Sequence, residues 1–160
     1  MRKIDRIVIH CSATRADQPL SAAELERMHR KRGFNGCGYH YYIRRDGQIC
    51  TMRPVERVGA HAKGYNATSI GICYEGGLDA HGVAADTRTD LQKRSLRILV
   101  RVLVSDFPIR EIVGHRDLSP DLDGDGMVEP EEWIKQCPCF DVSAERSEWL
   151  GKRSLKPFKD

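Results

Sequence analysis

The chain has 160 residues, of which 40% are hydrophobic and 31% charged, with a formal net charge of +3. That length suits one domain able to bury a sizeable core, and the composition is that of an ordinary globular protein. So small a charge, with no long Lys/Arg run, argues against nucleic acid as a partner, and no apolar stretch is long enough to cross a membrane.

In chain order, Ile4 to His10 alternates and is rich in Ile and Val, which predicts a first strand. Ser21-Ala-Ala-Glu24 is a capping box that opens a helix to about Arg32, where Gly33 stops it. Tyr39 to Arg45 and Gln48 to Arg53 flank Asp46-Gly47, the favoured pair for a two-residue hairpin turn. Ser69 to Tyr74 reads as an apolar strand ended by Gly76-Gly77, and Leu78 to Asp86 as a surface loop. Thr89-Asp-Leu-Gln92 opens a second helix to about Asp106, with Leu91, Leu96, Leu99, Val100, Leu103 and Val104 at helical spacing. Ile109 to Gly114 is another strand, about Val142 to Gly151 a third helix, and the last residues a loose tail. Strands mixed with long helices predict a single α/β domain, a central mixed sheet flanked by helices.

Six cysteines stand at 11, 37, 50, 73, 137 and 139. Their irregular spacing does not suggest a secreted disulfide framework, and most of them read as reduced thiols, Cys73 as a small core residue. The N-terminus has no apolar signal-peptide core, so the expectation is synthesis in a cytoplasm without a signal peptide.

The chemistry gathers at three distant points. Ile7-Val-Ile-His10 and Ile112-Val-Gly-His115 each bring an imidazole to a strand end, and Lys135-Gln-Cys137-Pro-Cys139 supplies thiols. Two imidazoles and a thiolate form a three-ligand zinc set, which leaves a fourth position open, as in catalytic sites. Cys11 follows a ligand along a strand and should point into the core. Cys139 is a rival to Cys137 as the thiolate. Of the other histidines, His29 reads as solvated on a polar helix face, His81 as a plain loop residue and His40 as structural.

The ordered segments His10-Cys-Ser-Ala-Thr14, Gly38-Tyr39-His40, His61-Ala-Lys-Gly-Tyr-Asn66, Ser69-Ile-Gly-Ile-Cys73, Gly114-His115 and Lys135-x-Cys137-Pro carry a family resemblance over roughly Ile4 to Trp149. The chain resembles the zinc-dependent N-acetylmuramoyl-L-alanine amidases of the phage-lysozyme and peptidoglycan-recognition-protein type. The resemblance implies zinc at His10, His115 and Cys137, with Cys137 holding the matched position before Pro138. It implies catalytic roles for the Tyr39 phenol and the Lys135 ammonium, and a substrate-groove wall containing His61, Lys63 and Asn66. It also implies cleavage of the bond between N-acetylmuramic acid and L-alanine in peptidoglycan, with action on the cell wall after release. A cytosolic amidase recycling muropeptides and a binding module without turnover are the alternatives; the presence of both Tyr39 and Lys135 argues against the last. We expect a monomer.

Between His115 and Cys137 lies Asp121-Leu-Asp123-Gly-Asp125-Gly-Met127-Val-Glu-Pro-Glu-Glu132. Acids at the first, third and fifth places, Gly at the sixth and Glu at the twelfth fit a calcium-binding EF-hand loop. Asp121, Asp123, Asp125, the Met127 carbonyl and Glu132 are the candidate ligands. Leu118-Ser-Pro120 makes a poor entering helix, and an acidic solvated loop is the alternative.

Overall fold

The computed structural model describes residues 1–158. Its five-stranded sheet runs β4-β3-β5-β1-β7, with β1 Arg6–Cys11, β3 Tyr41–Ile43, β4 Ile49–Thr51, β5 Ser69–Tyr74 and β7 Glu111–Gly114. Only the β3–β4 pair is antiparallel; β3–β5, β5–β1 and β1–β7 are parallel. Two short strands, β2 Thr14–Arg15 and β6 Gly77–Leu78, follow β1 and β5 in the chain and pair with each other in parallel. Among the described residues there are three α-helices: α1 Ala22–Lys31, α2 Asp90–Asp106 and α3 Val142–Leu150. The expected mixed sheet flanked by helices is thus the architecture of the chain.

Alternation along β1 sorts its side chains. Ile7, Ile9 and Cys11 join Ile70, Ile72, Tyr74 and Ile112 on one face, packed with Leu96, Leu99, Val100 and Leu103 of α2 and Val142, Trp149 and Leu150 of α3. The opposite face holds Val8 and Val113 against Ala62, and Cys73 and Tyr42 against Leu25 of α1. The site lies on this second face.

Both long helices start with full capping boxes, Ser21 with Glu24 and Thr89 with Gln92. Each satisfies backbone N–H groups that a helix N-terminus otherwise leaves unpaired. Gln92 is buried, and its amide also donates to the Ile43 and Glu75 carbonyls, tying the start of α2 to β3 and to the end of β5.

Five expectations need correction. The first strand begins at Arg6, because the Asp5 N–H bonds sideways to the Thr68 carbonyl; Ile4 is buried all the same. The hairpin loop contains Arg45, Asp46 and Gly47, not two residues. Gly47 N donates to Arg44 O, Arg44 N to Gln48 O, and Gly47 takes φ +85°. This is a turn followed by a left-handed glycine, held in place because Thr89 Oγ1 and Ser95 Oγ donate to the Arg45 and Gly47 carbonyls. Leu91 is exposed, because the buried stripe of α2 begins at Gln92. The 78–86 segment is not a plain loop: Leu78 lies in β6 and bridges Ala84. The tail is docked at Leu155, which packs on the core, and at Lys156, whose N–H donates to Ile109 O at 2.8 Å.

Candidate functional site

His10 and His115 meet because of register. Val8 pairs with Val113 and Ile9 with Gly114 across β1 and β7, so one residue further on two imidazoles extend from the same sheet face. Their ring centroids are 4.5 Å apart. Both stand at the carboxyl ends of parallel strands, where open α/β sheets bind ligands. Cys137 arrives on the loop before α3. It is fixed to the strands at two points: Cys11 N–H lies 3.3 Å from its Sγ, and Arg116 N–H donates to its carbonyl.

One ligand atom each from His10, His115 and Cys137 lies within 4.8 Å of the others. On His10 that atom is Nδ1, 3.9 Å from Cys137 Sγ, while Nε2 faces away towards His61. The donor set fits a zinc ion, with two nitrogens, one sulfur and room for a fourth ligand. Burial lowers the pKa of His10 well below the usual imidazole value, helped by His61 and His115; burial and the nearby Lys135 ammonium bring His115 down to about 4. Both rings are therefore neutral at pH 7, the form a metal requires.

Cys11 points into the core, as its place in the strand requires. Its Sγ lies 3.9 Å from Cys139 Sγ, so those two thiols face each other, and the metal-donor cluster contains Cys137 but not Cys139. Hydrogen bonding with Cys137, and then burial, raises the Cys11 pKa to about 12, against the opposing contact with Cys139.

Tyr39 and Lys135 line the same cleft of about 230 Å³ as His115, Cys137 and His61. The Tyr39 ring sits 5.0 Å from that of His10. Desolvation pushes its hydroxyl pKa well up, so it remains a proton donor at any physiological pH. Lys135 is exposed at the rim. An adjoining groove of about 430 Å³ has His61, Lys63, Tyr65 and Asn66 along one wall and Leu118, Ile134 and Lys135 along another. The Asn66 side-chain oxygen accepts from both His61 and Ala62 N–H, which holds this turn against the sheet.

His29 is not solvated. It is buried, accepts from Gly38 N–H at 2.8 Å, and its ring lies 5.3 Å from that of Tyr39, so it braces the segment carrying the phenol. The signal was available: His29 follows Leu25, a buried apolar residue, by one helical turn. His40 is structural as expected, accepting from Gly71 N–H at Nδ1 and donating from Nε2 to Arg57 O.

The acidic loop folds around its carboxylates. Asp121 accepts from Gly124 and Gly126 N–H, Asp125 from Met127 N–H, and Glu132 from Leu122 and Asp123 N–H. Asp121, Asp123 and Glu132 bring oxygens within 4.8 Å of one another, as do Asp123, Asp125 and Glu129. Glu129, absent from the sequence-based ligand set, stands at the ninth place of the loop, a common position in such sites. The last three residues of the loop, Pro130–Glu132, form a short turn of 3-10 helix.

The sequence model of the family described as N-acetylmuramoyl-L-alanine amidase matches residues 1–138. The chain is similar to the endolysin of Klebsiella phage KP32, at 34% identity over 154 residues, covering 96% of this chain and 90% of that one. It also resembles the solved endolysin N-acetylmuramoyl-L-alanine amidase LysCS from Clostridium intestinale URNW. That likeness has a TM-score of 0.72 at 28% identity and covers 93% of this chain and 84% of the other. Drosophila PGRP-LB, at 21% identity, shares the fold with a TM-score of 0.67 over 99% of this chain and 88% of its own. The sheet, its strand-end cleft and the match across most of its length agree: the chain belongs to the N-acetylmuramoyl-L-alanine amidase family.

Proposed function

We propose that this protein hydrolyses the amide between the lactyl group of N-acetylmuramic acid and L-alanine in peptidoglycan, with zinc held by His10, His115 and Cys137. The observation that carries the reading is the convergence of these three donors, with His115 and Cys137 lining the cleft that Tyr39 and Lys135 also line and His10 buried beside them. When bound, zinc supplies a water of lowered pKa and polarises the scissile carbonyl. The remaining work falls to side chains. The Tyr39 hydroxyl, kept protonated by burial, donates to the carbonyl oxygen as negative charge develops there. The Lys135 ammonium, at the rim, adds a positive charge facing the same oxygen. Two imidazoles and one thiolate leave zinc a formal +1, so such donors matter more than they would beside a fully charged ion. Lys63 and Asn66 in the adjoining groove contact the substrate.

The deciding experiment is incubation of the zinc-loaded protein with intact sacculi and, separately, with soluble muropeptides, products being identified by mass. Release of stem peptides beginning with L-alanine from sacculi supports a wall-lytic amidase. Turnover of soluble fragments alone means a recycling enzyme, and binding without products means a recognition module.

We further propose that the 121–132 loop binds one calcium ion. Support comes from the EF-hand spacing together with the two overlapping carboxylate groups that share Asp123. An ion there relieves the mutual repulsion of these acids and stiffens the loop that leads to Lys135 and Cys137.

A further inference from the structure

The side chain of His61 is set into the sheet beneath the metal donors. Its Nδ1 lies 2.9 Å from His10 Nε2, and its Nε2 lies 3.2 Å from Ser69 Oγ. His61 is 9% exposed and Ser69 fully buried. The ring is gripped between two glycines. A Cβ on Gly71 would come within 2.6 Å of His61 Cγ, and one on Gly59 within 2.6 Å of His61 Cδ2. The ring thus occupies a slot that any other residue at 59 or 71 would fill, while Asn66 fixes the backbone at His61 from the other side.

We propose that His61 is a positioning residue that selects the tautomer of His10 and thereby aims His10 Nδ1 at the metal. This rests on the zinc reading given above. A ligating Nδ1 needs its lone pair free, so the single proton of a neutral His10 must sit on Nε2. At 2.9 Å from that nitrogen stands His61 Nδ1, which must then accept. The proton of His61 is left on Nε2, where Ser69 Oγ receives it. Each link fixes the next, and the chain ends on a hydroxyl in β5, a strand that contributes no ligand. Both nitrogens of His61 are used inwards, so this ring has no polar atom left for substrate. A metal-bound imidazole whose other nitrogen has a fixed partner binds its metal more tightly, typically by 10- to 100-fold.

Two variants separate this role from simple packing. Asn places its side-chain oxygen close to where His presents Nδ1, so His61→Asn keeps an acceptor; His61→Leu fills much of the slot without one. Zinc affinity, measured by competition with a chromophoric chelator, is expected to fall about 10- to 100-fold in His61→Leu. It should stay within about threefold of the parent protein in His61→Asn, with both variants folded by circular dichroism. Equal affinity in all three proteins overturns the proposal. Imidazole nitrogen NMR on the unmutated zinc-loaded protein gives a test independent of folding. A protonated, slowly exchanging Nε2 on His10 is expected, and a proton on Nδ1 overturns the assignment. If instead the parent protein and His115→Ala bind zinc equally poorly, it is the metal reading that fails.

Discussion

At the scale of single residues, the thiol assignment is the most exposed to test. Cys137 and Cys139 are two residues apart, yet only Cys137 faces the imidazoles, while Cys139 faces Cys11. Replacing Cys137 by Ser is therefore expected to remove most bound zinc, and Cys139→Ser to leave it in place; metal analysis of the purified variants checks this, and the reverse pattern defeats the assignment. Tyr39→Phe and Lys135→Ala should retain zinc and fold. Each should lose about 100- to 1000-fold in turnover, the usual consequence of deleting a donor to a developing oxyanion. A loss below threefold in both would show that neither hydroxyl nor ammonium reaches the reacting oxygen. The candidate donors were legible because both imidazoles stand at strand ends and alternation turns His10 and Cys11 to opposite faces. The partnership of His61 with His10 was not, because it depends on a loop folding back across 51 residues.

At the scale of elements, two features make predictions. Arg88 lies before α2 with its guanidinium almost fully buried, paired with Asp86 and with Glu145 of α3, and its Cζ sits 3.3 Å from the centroid of the Phe140 ring. It ties α3 to the start of α2. Arg88→Met should lower the unfolding free energy by about 2 kcal/mol, measured by urea denaturation; this is less than the roughly 3–5 kcal/mol for fully buried pairs because both carboxylates are partly exposed. The acidic loop makes the second. Millimolar calcium should raise the melting temperature of the zinc-loaded protein by mass action, and Asp121→Ala or Glu132→Ala should abolish the gain. An unchanged melt on adding calcium would leave an acidic surface loop. Element ends were read well where caps are local, as at Ser21 and Thr89. They were misread where a distant partner decides: the hairpin turn is set by hydroxyls of Thr89 and Ser95, more than forty residues away in sequence.

At the scale of the whole molecule, buried neutral histidines couple stability to pH. Burial above all brings His40 down to about 4 and His61 to about 3, against an ordinary 6.5 that the unfolded chain recovers. Between these values the unfolded state takes up protons that the folded state refuses, so stability rises with pH. The contribution is complete above about pH 6.5 and is lost as pH falls towards 4. Metal-free protein should show urea midpoints that decrease steadily from pH 7 to pH 4.5; a flat profile would mean that these rings are solvated. The fold class was legible throughout because strand and helix periodicities are distinct in this chain. What escaped was the small β2–β6 pairing, two strands of two residues each, too short to carry a period.

The distance between the two ends of the donor set has a consequence of its own. His10 and Cys137 are 127 positions apart, and most of the chain, though not α3, lies between them. An ion held by both closes a ring around the chain, and the unfolded ensemble loses freedom as it would with a long disulfide, roughly 4–5 kcal/mol if the tie were covalent. Unlike a disulfide, a zinc tie of this kind would open to a chelator and close again in a reducing solution. Nor can it close during synthesis until the thiolate has left the ribosome, after the entire sheet has been made. On the proposed zinc reading, stripping the ion should weaken catalysis and stability together, both returning when zinc is added back.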